Sequence, residues 1–353
     1  IVQDRRMRIG WILLMISALG LNAADDAAPK LPPGKPTAPA PAEKDESKKE
    51  EGKKAVAAIP DATHKPVLIT NTVTIADHAV TYVAETAMLP LLKPDGTARA
   101  SVFYVAYTRQ GETNTATRPV TFCFNGGPGS SSVWLHLGAL GPRRVRMNDD
   151  GTLPKPPFGL MDNEYSLLGA TDLVFIDPVA TGFSRPAKDE KPDQFFGQSG
   201  DIESVGDFIR LWATRHQRWL SPKFLCGESY GTVRATGLAG YLQETYGMYL
   251  QGVVLISAVL DYRTSEFEHG NDLPYALYLP TYAATAWYHK KLQGKYQENL
   301  QNTLKEVEQW ALTDYWVALA KGNRLSPQER SDIIAKLSQY TGLPSKVIDQ
   351  NNL

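Results

Sequence analysis

The chain has 353 residues, 42% of them hydrophobic and 21% charged, with a formal net charge of -1. That is enough apolar material for one large core, or a core with a smaller appended unit, and the near-neutral balance with no basic stripe gives no footing for a nucleic-acid partner. Two cysteines, Cys123 and Cys226, exclude a disulfide-dense scaffold. Both sit in apolar runs and are expected to be inert buried thiols, since neighbouring parallel strands rarely place cysteines for a good bridge.

Residues 1–23 form the pattern of an export signal, with Met7 as its start. Arg5, Arg6 and Arg8 make a positive flank, Ile9 to Ala24 carry no charge, and Leu21-Asn22-Ala23-Ala24 close the stretch with small residues. The stretch falls short of the about 20 residues of a bilayer span and contains Ser17, Gly20 and Asn22, so cleavage rather than anchoring is expected. The expected result is a secreted or periplasmic protein with no stable membrane span. Residues 24–60 are rich in Pro, Ala, Lys and Glu and hold no aromatic residue, the composition of a disordered spacer.

Residues 61–265 have the texture of an α/β core. Thr72 to Ile75, Ala79 to Val83 and Ala100 to Tyr107 are β-branched and aromatic, with Pro94-Asp95-Gly96 as turn chemistry between the last two. They read as an antiparallel entry to a sheet. Short unalternating apolar runs follow at Pro119 to Phe124, Asp172 to Ile176, Phe224 to Cys226 and Val253 to Ile256, with helices expected at Ile202 to His216 and Thr232 to Tyr246. That alternation describes a mostly parallel sheet buried on both faces, whose chemistry gathers at the carboxyl ends of the strands. Residues 266–353 lose the strand signal. Tyr282 to Ala320 and Pro327 to Tyr340 read as helices, the second opened by Ser326 as N-cap.

Three of the parallel strands end in marked motifs. Gly227-Glu228-Ser229-Tyr230-Gly231 is a G-x-S-x-G sequence between a strand and a helix, the setting a nucleophile elbow requires. Its serine oxygen would stand above the sheet, with the Tyr230 N–H facing a developing oxyanion. Asn125-Gly126-Gly127-Pro128-Gly129 puts two glycines at another strand end, where bare backbone N–H groups can approach a substrate. Asp177-Pro178 ends a third strand. No cluster of His, Cys, Asp or Glu has metal-ligand spacing, so no metal or other cofactor is expected.

Asn-Gly-Gly-Pro-Gly followed by Gly-Glu-Ser-Tyr-Gly resembles the serine carboxypeptidase family, which releases single residues from peptide C-termini. Asp172 to Ser184, ending in Gly182-Phe183-Ser184, is similar to the family's strand and loop ending in Gly-Phe-Ser. The three segments occur in the family's order. The stretches Trp219 to Tyr241 and Asn271 to Leu292 resemble bacterial, signal-bearing members. The resemblance implies an α/β-hydrolase core and the start of a helical cap. It also implies Ser229 as nucleophile, Gly127 and Tyr230 as oxyanion hole, and Asn125, Gly126 and Glu228 as the clamp for the free carboxylate of a peptide substrate. A glutamate beside a bound carboxylate must hold a proton to donate, because two like charges at that distance do not both ionise cheaply.

Some positions depart from the family pattern. Ala139 precedes Leu140-Gly141 where the family commonly has a second glutamate paired with that of the elbow. Cys123 stands where the family often has Trp, and Ser130 where many eukaryotic members have a disulfide cysteine. The fold's chain order is Ser, acid, His. After Ser229 the only histidines are His269 and His289, neither in the family's context. The triad Asp and His are therefore expected beyond Leu353, and this chain alone is expected to be inactive. Asp261 with His269 is the alternative pair. At the level of function the alternatives are an esterase or lipase of the same fold and a non-catalytic binding protein on a hydrolase scaffold. Asn125 and Glu228 separate the first from a carboxypeptidase, since an esterase has no use for a carboxylate clamp.

Overall fold

The computed structural model describes residues 65–112 and 114–353. The expected signal and spacer, up to residue 60, lie outside the described residues. Seven main strands build one sheet: β1 (Val67–Ile75), β2 (His78–Leu92), β3 (Ala98–Arg109), β4 (Val120–Phe124), β5 (Asp172–Ile176), β6 (Lys223–Glu228) and β7 (Gly252–Ile256). Their order across it is β1-β2-β3-β5-β4-β6-β7. The first three are antiparallel, β3 meets β5 antiparallel, and β5, β4, β6 and β7 are mutually parallel. The chain leaves β4 for β5 on one side and then crosses to β6 on the other. That reversal makes the carboxyl end of β4 a topological switch point, where a crevice forms in open parallel sheets.

The continuous apolar runs of β4 and β5 are buried throughout, as a sheet covered on both faces requires. One face carries Phe122, Phe124, Val174 and Leu225 against Phe208, Ile209 and Trp212 of helix α1 (Gln198–Arg215) and Leu238 of α2 (Tyr230–Tyr246). The other carries Cys123, Cys226, Phe175 and Leu173 against Leu135 and Leu168. Cys123 and Cys226 are free and buried, as expected, but they are not isolated. They are Cα partners across β4 and β6, each within reach of the other's sulfur. Burial pushes the Cys123 thiol well up.

At the amino ends of β4 and β5 the buried carboxylate of Asp172 receives Arg118 Nε at 3.2 Å, Arg218 Nη1 at 2.6 Å and the Arg109 backbone N–H at 3.0 Å. Arg118 also donates to the backbone oxygens of Leu168 and Gly169, and Arg218 to those of Arg118 and Pro119 and to the Ser221 hydroxyl. This ties the strand starts together on the side away from the glycine-marked loops.

The helices after Thr264 build their own buried cluster, with Ala276, Leu279 and Ala283 of α3 (Leu273–Tyr288), Val307 of α4 (Leu300–Trp310), Tyr315 just before α5 (Trp316–Lys321), Leu337 and Tyr340 of α6 (Pro327–Thr341) and Ile348 of α7 (Ser345–Gln350). One expectation is corrected here. Tyr282 to Ala320 is not one helix: α3 stops at Tyr288 and the chain turns through Lys290 at φ 55° and Gly294 at φ 54°. Left-handed backbone at two nearby positions cannot continue a right-handed helix. Ser326 does cap α6, in a full capping box with Glu329. Among the described residues no helix is long and apolar enough to cross a membrane.

Candidate active site

Ser229 occupies the single-residue turn between β6 and α2, with φ 57° and ψ -124°. A non-glycine residue there is strained by about 1–3 kcal/mol, so its surroundings must hold it. The Ser229 N–H donates to the Ile256 carbonyl of β7 at 2.9 Å. The Ser229 carbonyl accepts from the Thr232 N–H at 2.9 Å and the Thr232 hydroxyl at 2.7 Å. Gly231 has no side chain because a Cβ would lie 2.9 Å from the Phe124 carbonyl. The elbow is thus wedged against the end of β4.

Gly126 completes the wedge. A Cβ on it would lie 2.7 Å from both the Glu228 carbonyl and the Gly231 nitrogen, and closer still to the Tyr230 nitrogen. Only glycine lets these two backbones approach so nearly. The N–H groups of Gly126, Gly127 and Tyr230 have no acceptor among the described residues. Unpaired backbone donors are rare in a folded interior, and two of these belong to residues pressed directly against each other.

Asn125 is 1% exposed and nearly all its polar capacity is committed. Its Oδ1 accepts from the Leu135 N–H at 3.0 Å, its Nδ2 donates to Glu228 Oε2 at 3.0 Å, and its carbonyl accepts from Arg234 Nη1 at 2.7 Å. One Nδ2 hydrogen remains. The Asp177 loop braces the assembly from the other side. Asp177 Oδ1 accepts from the Ser132 N–H at 2.9 Å, and the Ser184 hydroxyl donates to the Asp177 carbonyl at 2.6 Å while accepting from the Phe103 N–H at 2.8 Å. Burial pushes the Asp177 carboxyl up, with the Ser132 and Phe183 N–H groups opposing that shift.

The structure therefore brings Asn125, Gly126, Gly127, Glu228, Ser229 and Tyr230 to one place, at the adjoining ends of β4 and β6. Among the described residues neither member of the alternative pair, Asp261 or His269, is hydrogen-bonded to Ser229. The Asp261 carboxylate caps its own 3-10 turn and is gripped by Arg263 Nη2 at 2.7 Å, which holds it below the usual carboxylate range. Among the described residues no histidine is hydrogen-bonded to Ser229. His136 meets the Tyr107 hydroxyl at 2.6 Å and stacks on Phe175, where burial lowers it to about 4. His216 meets Glu85 at 2.9 Å across the sheet. No group of three His, Cys, Asp or Glu among the described residues is placed to hold a metal ion.

Sequence reasoning missed Thr232, Asp201 and Arg234, and marked Asp177 as a strand end without its bracing role. An arginine five positions beyond the serine, on the buried stretch of a helix, is the one visible signal, because a lone buried charge demands a partner.

Residues 89–341 match the serine carboxypeptidase family. Among curated relatives from Arabidopsis thaliana, serine carboxypeptidase-like 2 is 31% identical over 185 residues, 48% of this chain and 40% of that protein. Serine carboxypeptidase-like 7 is 33% identical over 134 residues, 36% of this chain and 28% of that protein. The chain therefore matches well under half the length of these relatives. A prohormone-processing carboxypeptidase of Saccharomyces cerevisiae aligns with a TM-score of 0.41 at 23% identity, over 74% of this chain and 53% of that one.

Proposed function

The chain belongs to the serine carboxypeptidase family, and from that premise we propose that its site serves the release of single residues from the free C-terminus of peptides. Ser229 Oγ attacks the last peptide carbonyl and its proton passes to a histidine base outside the residues described. The oxyanion that forms is met by the N–H groups of Gly127 and Tyr230. Collapse of the tetrahedral intermediate expels the terminal amino acid, the base returning the proton to its amine, and leaves an acyl-enzyme that water hydrolyses by the same route. The free carboxylate of the substrate lies against the Gly126 N–H, the remaining Nδ2 hydrogen of Asn125 and a protonated Glu228. The pattern at residues 7–24 supports export of the protein to the periplasm or medium.

The observation that carries this reading is the pairing of a strained Ser229 with unpaired N–H groups at Gly126 and Tyr230. The test compares blocked dipeptides ending in a free acid, an amide and an ester, assayed on the protein encoded by the whole gene. The free acid is expected to turn over and the amide to react poorly, with Ser229→Ala inactive. Equal turnover of acid and amide would remove the clamp and leave a hydrolase of the same fold with esterase character. The 353-residue chain alone is expected to be silent toward a serine-directed fluorophosphonate, because no histidine among the described residues is hydrogen-bonded to Ser229. Brisk labelling would show that a base such as His269 reaches it.

A further inference from the structure

Arg234 lies on α2, with its guanidinium folded into the interior and only 2% exposed. Its Nε donates to both oxygens of the buried Asp201 of α1, at 3.0 and 2.8 Å. Its guanidinium carbon stands 5.2 Å from the ring centre of Phe124 and 5.3 Å from that of Tyr230. An ion pair that only joined two helices would end there. Here Nη1 makes a further bond, at 2.7 Å, to the carbonyl of the peptide linking Asn125 to Gly126.

We propose that Arg234 is a positioning residue that aims the Gly126 N–H at the substrate's free C-terminal carboxylate. The proposal rests on the carboxypeptidase reading above and adds a residue that reading does not contain. The carbonyl and N–H of a planar trans peptide point in opposite directions. Holding the Asn125 oxygen from the interior therefore turns the Gly126 N–H away from the interior, where it has no protein acceptor. A cation on the carbonyl also draws electron density from the amide and makes its N–H the stronger donor. The same guanidinium lies against the ring of Tyr230, whose backbone nitrogen adjoins Gly126, so one side chain fixes two neighbouring donors. Asp201 neutralises the charge. Arg234 thus acts through orientation and polarisation of a peptide rather than by pairing with the substrate.

The test needs binding and not turnover, and it is made in the Ser229→Ala background. A blocked dipeptide with a free C-terminus and its C-terminal amide are titrated calorimetrically into the parent, Arg234→Met and Arg234→Lys, with melting curves in parallel. The parent is expected to prefer the acid. Arg234→Met should weaken acid binding about tenfold while leaving the amide unchanged, the size of one charge-assisted hydrogen bond. Arg234→Lys should recover part of the loss. The ¹⁵N resonance of Gly126 in the unliganded protein should move upfield in Arg234→Met, a shift that mere loosening of the helix pair would not single out. If folded Arg234→Met keeps the parent's acid-to-amide ratio and Gly126 resonance, the proposal is overturned and the clamp stands. If the parent itself does not distinguish acid from amide, the clamp reading falls and takes this proposal with it. Should Arg234→Met lose its melting transition, Arg234→Lys decides by the same ratio and resonance.

Discussion

Gly126→Ala is the most direct way to ask whether the close approach of β4 to the elbow matters. A methyl there would stand 2.7 Å from the Glu228 carbonyl and the Gly231 nitrogen, and nearer the Tyr230 nitrogen. Ordinary contacts begin near ~3.5 Å, so the two backbones would have to part by at least ~0.8 Å, and by more at the Tyr230 nitrogen. None of the obstructing atoms belongs to a flexible side chain, so only a shift of backbone can relieve the contact, and a retreat of the elbow would disturb the Ser229 N–H bond to Ile256. Overpacking of this kind costs about 1–3 kcal/mol, which lowers Tm by on the order of 5 °C in a chain of this size. The larger effect is on the chemistry. A displacement approaching 1 Å at a positioned nucleophile costs about 10²-fold in rate. Differential scanning fluorimetry and kcat/KM on a free-acid dipeptide, using the protein encoded by the whole gene, read the two effects separately. Gly138→Ala is the control, since a Cβ there meets nothing within 4 Å. A Gly126→Ala protein that melts and turns over like wild type would refute the argument that backbone proximity builds the site.

Asp172→Ala strands Arg118 and Arg218 in the interior without their carboxylate and should cost about 3–5 kcal/mol by urea unfolding; a loss below ~1 kcal/mol would mean water reaches the pair. Burial lowers His136 from 6.5 to about 4, so the unfolded chain binds the extra proton first as pH falls; its contribution to stability is complete above 6.5 and is lost as pH falls through about 4. His136→Gln should flatten that slope relative to wild type in melts between the two pH values. Glu228→Gln, which donates to a carboxylate without needing a proton, should be tolerated better at high pH than at low in free-acid turnover, and an unchanged pH profile would exclude proton sharing at Glu228. Ser326→Ala removes the capping box of α6 and should cost about 1 kcal/mol, measurable by chemical denaturation.

The strand ends were legible in the sequence because glycine and proline punctuate them: Asn125-Gly126-Gly127, Asp177-Pro178 and Gly227-Glu228-Ser229 each close an apolar run, and those three runs are neighbours in the sheet. The antiparallel entry was legible from its β-branched residues, although β2 runs on to Leu92, through Pro90. The break after Tyr288 was not legible. Helix-forming residues continue across it, and only Gly294 betrays a left-handed position that Lys290 shares without any change in residue type to mark it. The supports of the site were hidden for a different reason. Asp201 and Arg234 are 33 positions apart, and Asp177 and Ser132 are 45 apart. Neither spacing carries a period that a local pattern could display.

The persistence of Ser229 in its strained turn is a property of the sheet more than of the helix it begins. The first N–H of α2 is left unpaired, so the helix contributes its Thr232 to the Ser229 carbonyl and nothing to the Ser229 N–H. That N–H is held by Ile256, the last residue of β7, and Thr232 in turn accepts from the Val259 N–H just beyond it. Among the described residues strand β7 lies at one edge of the sheet, opposite β1, and Val253, Val254 and Leu255 within it are each more than a third exposed. An edge strand with uncovered apolar side chains opens at lower free energy than the strands beside it. The geometry of Ser229 thus depends on a rigid wall on one side, where Gly126 and Phe124 press the elbow from the buried β4, and on an edge strand of the described sheet on the other. Whatever loosens β7 relaxes the turn at Ser229 before it disturbs β4, so the backbone strain at Ser229 should be lost ahead of the core.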